Sequence, residues 1–250
     1  MINRLLNGKI NRFIIIVLQI VITGTNREFS SPPYLNPNLF EGDIIGIRNV
    51  SRQNRNVVNQ ENTWPMGKIP YMIKNRLADE LMLLIRKAIL HYEKYTCIRF
   101  VFRTYEVDFV LIFEGSGCYS YVGKKGGEQS LSLDRRCGHF PIIVHEFGHL
   151  IGLHHEHNRV DRDDYLLIHW ENMKKGMKKQ FIKVNRSNAD TTEKFDYKSI
   201  MLYGENAFSK DGISKTMEAK NGMHLEQLEE KSGLSTSDRF KINKLYKCRD

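Results

Sequence analysis

The stretch His145-Glu-Phe-Gly-His149-Leu-Ile-Gly-Leu-His-His155 decides how this chain is interpreted. In an α-helix residues four apart lie on one face, so His145 and His149 can direct their imidazoles at one ion. Gly152 tolerates a backbone conformation that ends a helix, and the chain can then return His155 as a third ligand. Three imidazoles leave zinc one open coordination position, which is typical of a catalytic site. Glu146 points to a different side of the helix, where its carboxylate can hold a water and take its proton.

Two further histidines of this stretch, His154 and His157, have no place in that ligand geometry and are expected to face solvent or to support the ligands. The competing interpretation of the motif is a histidine-rich helix end whose rings are satisfied by carboxylates, without a metal. Three histidines, a glutamate and a glycine at these fixed spacings favour the zinc site, because the longer pattern is far more specific than the bare H-E-x-x-H.

The composition is that of a folded globular protein. The chain has 250 residues, 41% hydrophobic and 27% charged, with a mean hydropathy of −0.45. These values exclude a disordered tail, a collagen-like repeat and a multi-span membrane protein. The net charge of +9 raises the question of a polyanion partner. A basic helix face could be formed by four lysines, Lys174, Lys175, Lys178 and Lys179. We interpret this face as a solvated surface rather than a binding site, and we expect no nucleic-acid partner.

The N-terminal segment has the pattern of a secretory signal peptide. Basic residues precede the apolar run 13–23, which is too short for a typical transmembrane helix. We therefore expect a signal peptide over about residues 1–24, with a short signal anchor as the alternative. Residues 31–55 lack helical or strand periodicity and indicate an extended segment, with Arg55 as the basic cleavage point and Arg52 as the second choice.

Four cysteines in an exported chain predict two disulfides, and spacing alone leaves all three connectivities open. No C-x-x-C pair is present in the sequence, which argues against a cysteine zinc knuckle as the metal site. Two N-x-S sequons make Asn49 and Asn185 candidate glycosylation sites, a weak signal because many sequons are never used.

The periodicity of the remaining chain predicts an α+β fold. Strands are expected at 69–73, 97–102 and 108–113, and helices at 78–92 and 142–153. A last helix should begin at Ser235, where a serine N-cap precedes an acidic residue at the third helical position.

Several stretches together resemble the astacin family of metzincin zinc endopeptidases. The zinc motif continues as Glu156-His-Asn-Arg159, and Ser199-Ile-Met-Leu-Tyr203 resembles the methionine-containing turn of that family. Further similar stretches are Cys97-Ile-Arg-Phe100, Gly117-Cys-Tyr-Ser-Tyr-Val-Gly123 and Leu245-Tyr-Lys-Cys248. The similarity therefore extends from about Trp64 to Cys248. The family commonly has histidine where this chain has Leu202, which is not among the expected ligands.

The resemblance implies a fold and several residue roles. The fold would be metzincin-like, with an N-terminal twisted mixed sheet, an active-site helix, a cleft, and an irregular C-terminal subdomain ending in a helix. Met201 would lie beneath the zinc, Tyr203 would be an extra ligand that swings away to stabilise the oxyanion, and Glu156 would bind the new N-terminus. The disulfides would be Cys97–Cys248 and Cys118–Cys137.

The resemblance also gives the N-terminal segment a role. Phe40-Glu-Gly-Asp43 is similar to the family's latency motif, in which Asp43 would occupy the zinc position that catalysis needs for water. The expected organisation is a signal peptide (1–24), a propeptide (25–55) and a catalytic domain (56–250). Cleavage after Arg55 would make Asn56 the new N-terminus.

These observations lead to one leading function and one alternative. The first is a secreted zinc endopeptidase with one Zn²⁺ per subunit, made as a zymogen. Its partners would be protein or peptide substrates and an activating protease, with no stable membrane insertion after signal cleavage. The alternative is a catalytically silent secreted binding or effector protein that keeps the zinc fold. The presence of Glu146 favours the enzyme, because a silent relative could lose that carboxylate freely. The edge strand expected around residues 119–121 could pair with an extended substrate.

Overall fold

Four parallel strands form the sheet that carries the N-terminal half of the protein. A computed structural model describes residues 31–46, 62–74, 77–183 and 193–248. Its sheet has the order β2-β1-β3-β4; the strands are β1 (Lys68–Ile73), β2 (Arg99–Phe102), β3 (Phe109–Phe113) and β4 (Glu128–Ser132). Tyr71 of β1 lies between Phe102 of β2 and Val110 of β3, which fixes the register. The α+β expectation is confirmed, and the three predicted strands fall within two residues of the observed bounds.

Residues 119–121, where an edge strand was expected, make only isolated bridges at the edge of the sheet. The four strands named above are all parallel, and the antiparallel element is a single bridge from Tyr119 to Ser132. Gly117 and Gly123 on either side of this stretch adopt positive φ angles of 95° and 69°. On its other side this edge makes a parallel bridge from Ser120 to Ile44.

Two helices pack against one another beneath the sheet. The first, α1 (Asp79–Tyr95), buries Leu81, Ile85, Ala88 and Tyr92 at helical spacing. The second, α2 (Phe140–Leu150), is buried at every position from Pro141 to Leu150. The hydroxyl of Tyr92 donates a 2.7 Å hydrogen bond to the carbonyl of Val144. Helix α2 is therefore surrounded by other parts of the protein, and this packing fixes the direction of its side chains.

The C-terminal half consists mainly of turns and short elements. It contains the antiparallel pair β5 (Leu166–Ile168) and β6 (Met217–Ala219) and ends in α3 (Thr236–Tyr246). Ser235 caps α3 as predicted: its hydroxyl accepts from the Asp238 amide, and the Asp238 carboxylate accepts from the Ser235 amide. This reciprocal cap satisfies two helix N-terminal donors.

Two disulfides are formed: Cys97–Cys248 joins residues 151 apart, and Cys118–Cys137 joins residues 19 apart. This is the pairing that the family resemblance implied, out of the three that spacing allowed. Residues 31–250 form one of two compact units of the chain, and the other, residues 1–30, lies outside the described residues. Among the helices that the structure describes, none is both long enough and apolar enough to cross a bilayer.

Candidate active site

Three imidazole nitrogens converge at the end of α2. The Nε2 atom of His155 lies 3.2 Å from Nε2 of His145 and 3.2 Å from Nε2 of His149. Zinc–nitrogen bonds of about 2.0–2.1 Å in a tetrahedral site place the ligand atoms about 3.3 Å apart, so the observed spacing fits one zinc ion. All three side chains are fully buried. They form a preorganised metal site with Asp43, whose carboxylate belongs to the same cluster.

The other ring nitrogen of each ligand has its own acceptor. Nδ1 of His145 donates to the carbonyl of Ile200 at 2.8 Å, and Nδ1 of His149 donates to the carbonyl of Leu153 at 2.8 Å. A carbonyl oxygen can only accept, so the proton lies on Nδ1 and the Nε2 lone pair faces the cluster. Gly152 has a φ of 109°, a left-handed conformation that lets the chain turn from α2 toward the third histidine.

The third ligand is oriented by Glu41, in the segment 31–46. Nδ1 of His155 lies 2.7 Å from Oε2 of Glu41, and both side chains are buried. The second oxygen of this carboxylate, Oε1, has no hydrogen-bond partner among the described residues. Glu41 thus accepts the hydrogen bond that orients His155, as backbone carbonyls do for His145 and His149.

Asp43 occupies the open side of the histidine cluster. Its Oδ2 lies 2.9 Å from Nε2 of His145, and its Oδ1 lies 3.2 Å from Nε2 of His149. Burial alone would raise the pKa of Asp43, but His155 and His149 outweigh burial and hold this pKa well below its usual range. The aspartate is therefore a carboxylate at the position where a fourth metal ligand would lie.

A tight turn presents Asp43 to the histidines. The amide of Ile44 donates to the carbonyl of Phe40 at 3.0 Å, and Glu41 and Gly42 within the turn have φ angles of 53° and 102°. A Cβ at Gly42 would lie 2.8 Å from both Phe208 Cζ and the Tyr34 carbonyl, so glycine is required for conformation and for space. The turn is held to the cleft because the Ser120 amide donates to the Asp43 carbonyl at 2.9 Å.

The hydroxyl of Tyr203 lies at the same point of the cleft. It donates to Oδ2 of Asp43 at 2.6 Å, and its ring centroid lies 4.4 Å from that of His155. Burial, and then the Asp43 charge, raise the pKa of Tyr203 well above its ordinary value. The phenol therefore stays protonated and acts as a donor toward negative charge at this position.

Glu146 lies in the wall of the cluster with an unusual environment. Its side chain is fully buried, and neither carboxylate oxygen has a hydrogen-bond partner among the described residues. Burial raises the pKa of Glu146 well above its ordinary value, and the nearby Asp43 charge raises it further. An unpartnered buried carboxyl is costly unless a ligand or substrate group completes its bonding, and such groups concentrate at functional sites.

Met201 packs directly beneath α2, against Gly148. A Cβ at Gly148 would lie 2.5 Å from Sδ of Met201, so a larger residue would force the Met201 side chain to shift. Gly148, in the middle of the zinc motif, therefore lets Met201 pack closely against α2, although glycine lowers helix stability by about 1 kcal/mol relative to alanine.

The methionine-containing turn is anchored by a residue of the last helix. Asp238, fully buried, accepts from the hydroxyl of Ser199 at 2.6 Å and from the amide of Ile200 at 2.8 Å. Lys231 donates to the carbonyl of Ser199 at 2.7 Å. Because the Ile200 carbonyl accepts from His145, Asp238 fixes a metal ligand through one intervening residue.

Glu156 is held by cations next to this turn. Its carboxylate lies 2.9 Å from Nη1 of Arg159 and 2.9 Å from Nζ of Lys241, and it accepts from the Asp196 amide at 3.1 Å. The residue expected to be its partner, Asn56, lies outside the described residues.

The sequence model described as Astacin, a peptidase family, matches residues 56–247. The chain belongs to the astacin family. This membership makes the protein a zinc metallopeptidase of metzincin-like fold, with zinc as the ion for which the histidine cluster is suited.

Relatives within the astacin family come from several animals. The chain is 46% identical over 215 residues to "Astacin-like metalloprotease toxin 1" of Loxosceles intermedia, covering 84% of this chain and 81% of that protein. It is 40% identical over 222 residues to "Zinc metalloproteinase nas-6" of Caenorhabditis elegans, covering 86% of this chain and 64% of that protein. High choriolytic enzyme 1, a hatching enzyme zinc-protease of Oryzias latipes, superposes with a TM-score of 0.68 at 34% identity, covering 82% of this chain and 100% of that structure.

Most of the expected site residues meet in one place in this astacin-family chain. The three histidines and Asp43 form one cluster, the Tyr203 hydroxyl contacts Asp43, and Glu146 lies close enough for the Asp43 charge to raise its pKa. His154 and His157 are outside the metal cluster, which contains Asp43 and the three ligand histidines among the described residues. Sequence reasoning did not find Glu41, Gly148 and Asp238. Glu41 and Gly148 lie inside the quoted motifs, so their positions were visible but their contacts were not.

Proposed function

We propose that this chain is a secreted zinc endopeptidase that hydrolyses internal peptide bonds of proteins and is made as a latent precursor. The observation that carries the proposal is the buried Glu146 carboxyl, without a partner among the described residues, beside three converging imidazoles and a fourth position filled by Asp43. Such an arrangement has the ligands and the base of a hydrolase, with the base left available for water.

The chemistry follows from three groups. His145, His149 and His155 would hold the zinc ion. When bound, zinc polarises the scissile carbonyl and lowers the pKa of a water molecule. Glu146 accepts the proton of the attacking water and later delivers it to the leaving amine. In this structure the Tyr203 hydroxyl donates to the Asp43 carboxylate. After Asp43 has left the site, the same hydroxyl can donate to the oxyanion of the tetrahedral intermediate.

Latency is supported by the position of the segment 31–46. Asp43 lies where the substrate carbonyl and water must lie, so the cleft is closed while this segment is in place. We assign residues 1–24 to a signal peptide, 25–55 to a propeptide and 56–250 to the catalytic domain. The start of the family match at residue 56 supports this division. An activating protease would cleave after Arg55, a position outside the described residues.

The new N-terminus would be anchored by Glu156. Its carboxylate already binds the ammonium group of Lys241 at 2.9 Å, so an N-terminal ammonium has the chemistry to join or replace that contact. Because Glu156 directly follows the ligand His155, and its amide donates to the Met201 carbonyl at 2.9 Å, such an anchor would brace both the ligand and the turn.

Secretion is supported by the apolar segment near the N-terminus and by the two disulfides, which form in oxidising compartments. A relative at 46% identity is described as a toxin, which agrees with an exported protein. Glycosylation at Asn49 and Asn185 stays a prediction, because both residues lie outside the described residues.

The test of the enzyme assignment is Glu146→Gln in the full chain after proteolytic activation. General acid–base catalysis contributes about 10²- to 10⁴-fold, so kcat for an internally quenched peptide should fall by that factor while the zinc content stays at one ion per chain. The matched control is Glu114→Gln, which removes the same charge from a residue that pairs with exposed Arg135. Unchanged hydrolysis by Glu146→Gln would contradict the assignment and favour a binding or effector role.

A further inference from the structure

The side chain of Tyr34 fills a pocket next to the proposed catalytic residues. It is only 1% exposed, and its ring stacks on Tyr203 with 5.5 Å between the centroids. The Tyr34 carbonyl lies 3.4 Å from the Tyr203 hydroxyl, which is itself 2.6 Å from the cluster-facing oxygen of Asp43. A residue that places its side chain in this pocket therefore has its backbone beside the metal site.

A carboxylate lies at the end of this pocket. The hydroxyl of Tyr34 donates to Oε2 of Glu229 at 2.8 Å. Glu229 lies in the short turn Leu228–Glu230 of the C-terminal half and makes no ion pair with any other part of the chain that the structure describes. Burial, and then Glu229, raise the pKa of Tyr34, so its hydroxyl remains a donor. The Glu229 carboxylate thus accepts a hydrogen bond from a residue of the proposed propeptide.

We propose that the Tyr34 pocket is a substrate side-chain subsite adjacent to the scissile bond, and that Glu229 makes it select tyrosine, lysine or arginine over aspartate and glutamate. This proposal rests on the proposed function and names the substrate class of the same site. Tyr34 shows the contact that a substrate would make: a flat or extended side chain lies against Tyr203, and a donor at its tip meets the carboxylate.

The selectivity follows from the charge and from the burial of the pocket. A lysine or arginine side chain has a reach comparable to that of tyrosine and would form a charge-assisted hydrogen bond with Glu229, which is stronger than a neutral one. An aspartate or glutamate side chain would bring a second negative charge next to the partly buried Glu229 carboxylate, where like charges repel. A site that hydrogen-bonds one kind of substrate side chain also disfavours side chains that cannot make that bond.

The first experiment profiles cleavage of a peptide library by the full chain after proteolytic activation. The wild-type protein should cleave peptides with Tyr, Lys or Arg at one position adjacent to the scissile bond about tenfold or more faster than peptides with Asp or Glu there. Glu229→Gln should reduce the preference for Lys and Arg and retain Tyr, and Glu229→Lys should shift the preference to Asp and Glu. The matched control is Glu226→Lys, the same charge change at an exposed position three residues earlier.

The second experiment measures binding without turnover. A synthetic peptide of residues 31–46 should bind the activated chain, and its Tyr34→Asp version should bind about tenfold or more weakly. Glu229→Lys should reverse that order, whereas Glu226→Lys should not. Equal binding of the two peptides to all proteins, or an acidic preference of the wild-type protein, overturns the subsite. Loss of catalysis with the binding order intact would count against the proposed function alone.

Discussion

The contact between Glu41 and His155 predicts that Glu41, together with Asp43, keeps the proposed precursor latent. Replacing Glu41 with alanine removes the 2.7 Å bond to Nδ1 of His155 and leaves that buried ring nitrogen without its acceptor. Hydrogen bonds to charged groups contribute about 1.5–3 kcal/mol, and 1.4 kcal/mol corresponds to a tenfold change in an equilibrium. The fraction of precursor in which the propeptide is displaced from the histidine cluster should therefore rise about 10- to 150-fold.

The backbone does not confound this comparison. Glu41 has a φ of 53°, and alanine experiences the same left-handed strain as glutamate, so the variant isolates the side-chain contact. Glu41→Gln keeps an acceptor and loses the charge, and it should give an intermediate rise. Neither substitution alters the groups that make the other contacts of the segment, including Asp43 and the bond from Ser120.

The assay is hydrolysis of an internally quenched peptide by the uncleaved chain, with zinc content measured on each preparation. Parent and variants carry Arg52→Ala and Arg55→Ala to block activation. Asn38→Ala, at an exposed position of the same segment, is the control that should leave the background rate unchanged. Under the proposed cleavage after Arg55, Glu41 would leave with the propeptide, so processed Glu41→Ala and wild-type proteins should have identical kcat/KM. A background rate for uncleaved Glu41→Ala within twofold of the parent would refute the reasoning.

Two further predictions concern the support of the methionine-containing turn. Burial lowers the pKa of Lys231 from 10.5 to about 8, so between pH 8 and 10.5 the unfolded chain binds a proton that the folded chain has released, and this residue's contribution to the free energy of unfolding rises with pH. Lys231→Met should flatten that rise in urea unfolding from pH 7.5 to 10.5 relative to exposed Lys210→Met; parallel curves would contradict the assignment. Asp238→Ala should weaken zinc binding about tenfold in chelator competition, because it releases the turn that orients His145. Asp238→Asn should recover part of the affinity, and an unchanged affinity in the alanine variant would show that the turn does not depend on this carboxylate.

The local parts of the site could be predicted because they repeat at the spacing of the secondary structure. His145 and His149 are four residues apart on a helix, and Gly152 ends that helix with a φ of 109°. The cap of α3 at Ser235 follows from a serine and an acidic residue three positions apart. In each case one element contains all of the interacting groups, so the order of residues carries the geometry.

The edge strand expected around residues 119–121 is present only as two isolated bridges, from Tyr119 to Ser132 and from Ser120 to Ile44. The pairing partners, Ser132 and Ile44, belong to other parts of the chain, so how far the pairing extends depends on tertiary contacts. The family resemblance supplied the disulfide pairing and the position of Asp43, which neither periodicity nor spacing could give.

By itself, then, the sequence determined the helical zinc motif, the α+β class and the capped last helix, since these depend on contacts within a few residues. Only the tertiary structure decided what surrounds the motif: Glu41 against His155, Asp238 beneath the turn, and Glu229 at the end of the Tyr34 pocket. These partners are 114, 38 and 195 residues apart along the chain. Such contacts form only when packing brings distant elements together, and a carboxylate in the sequence does not reveal which buried group it will face.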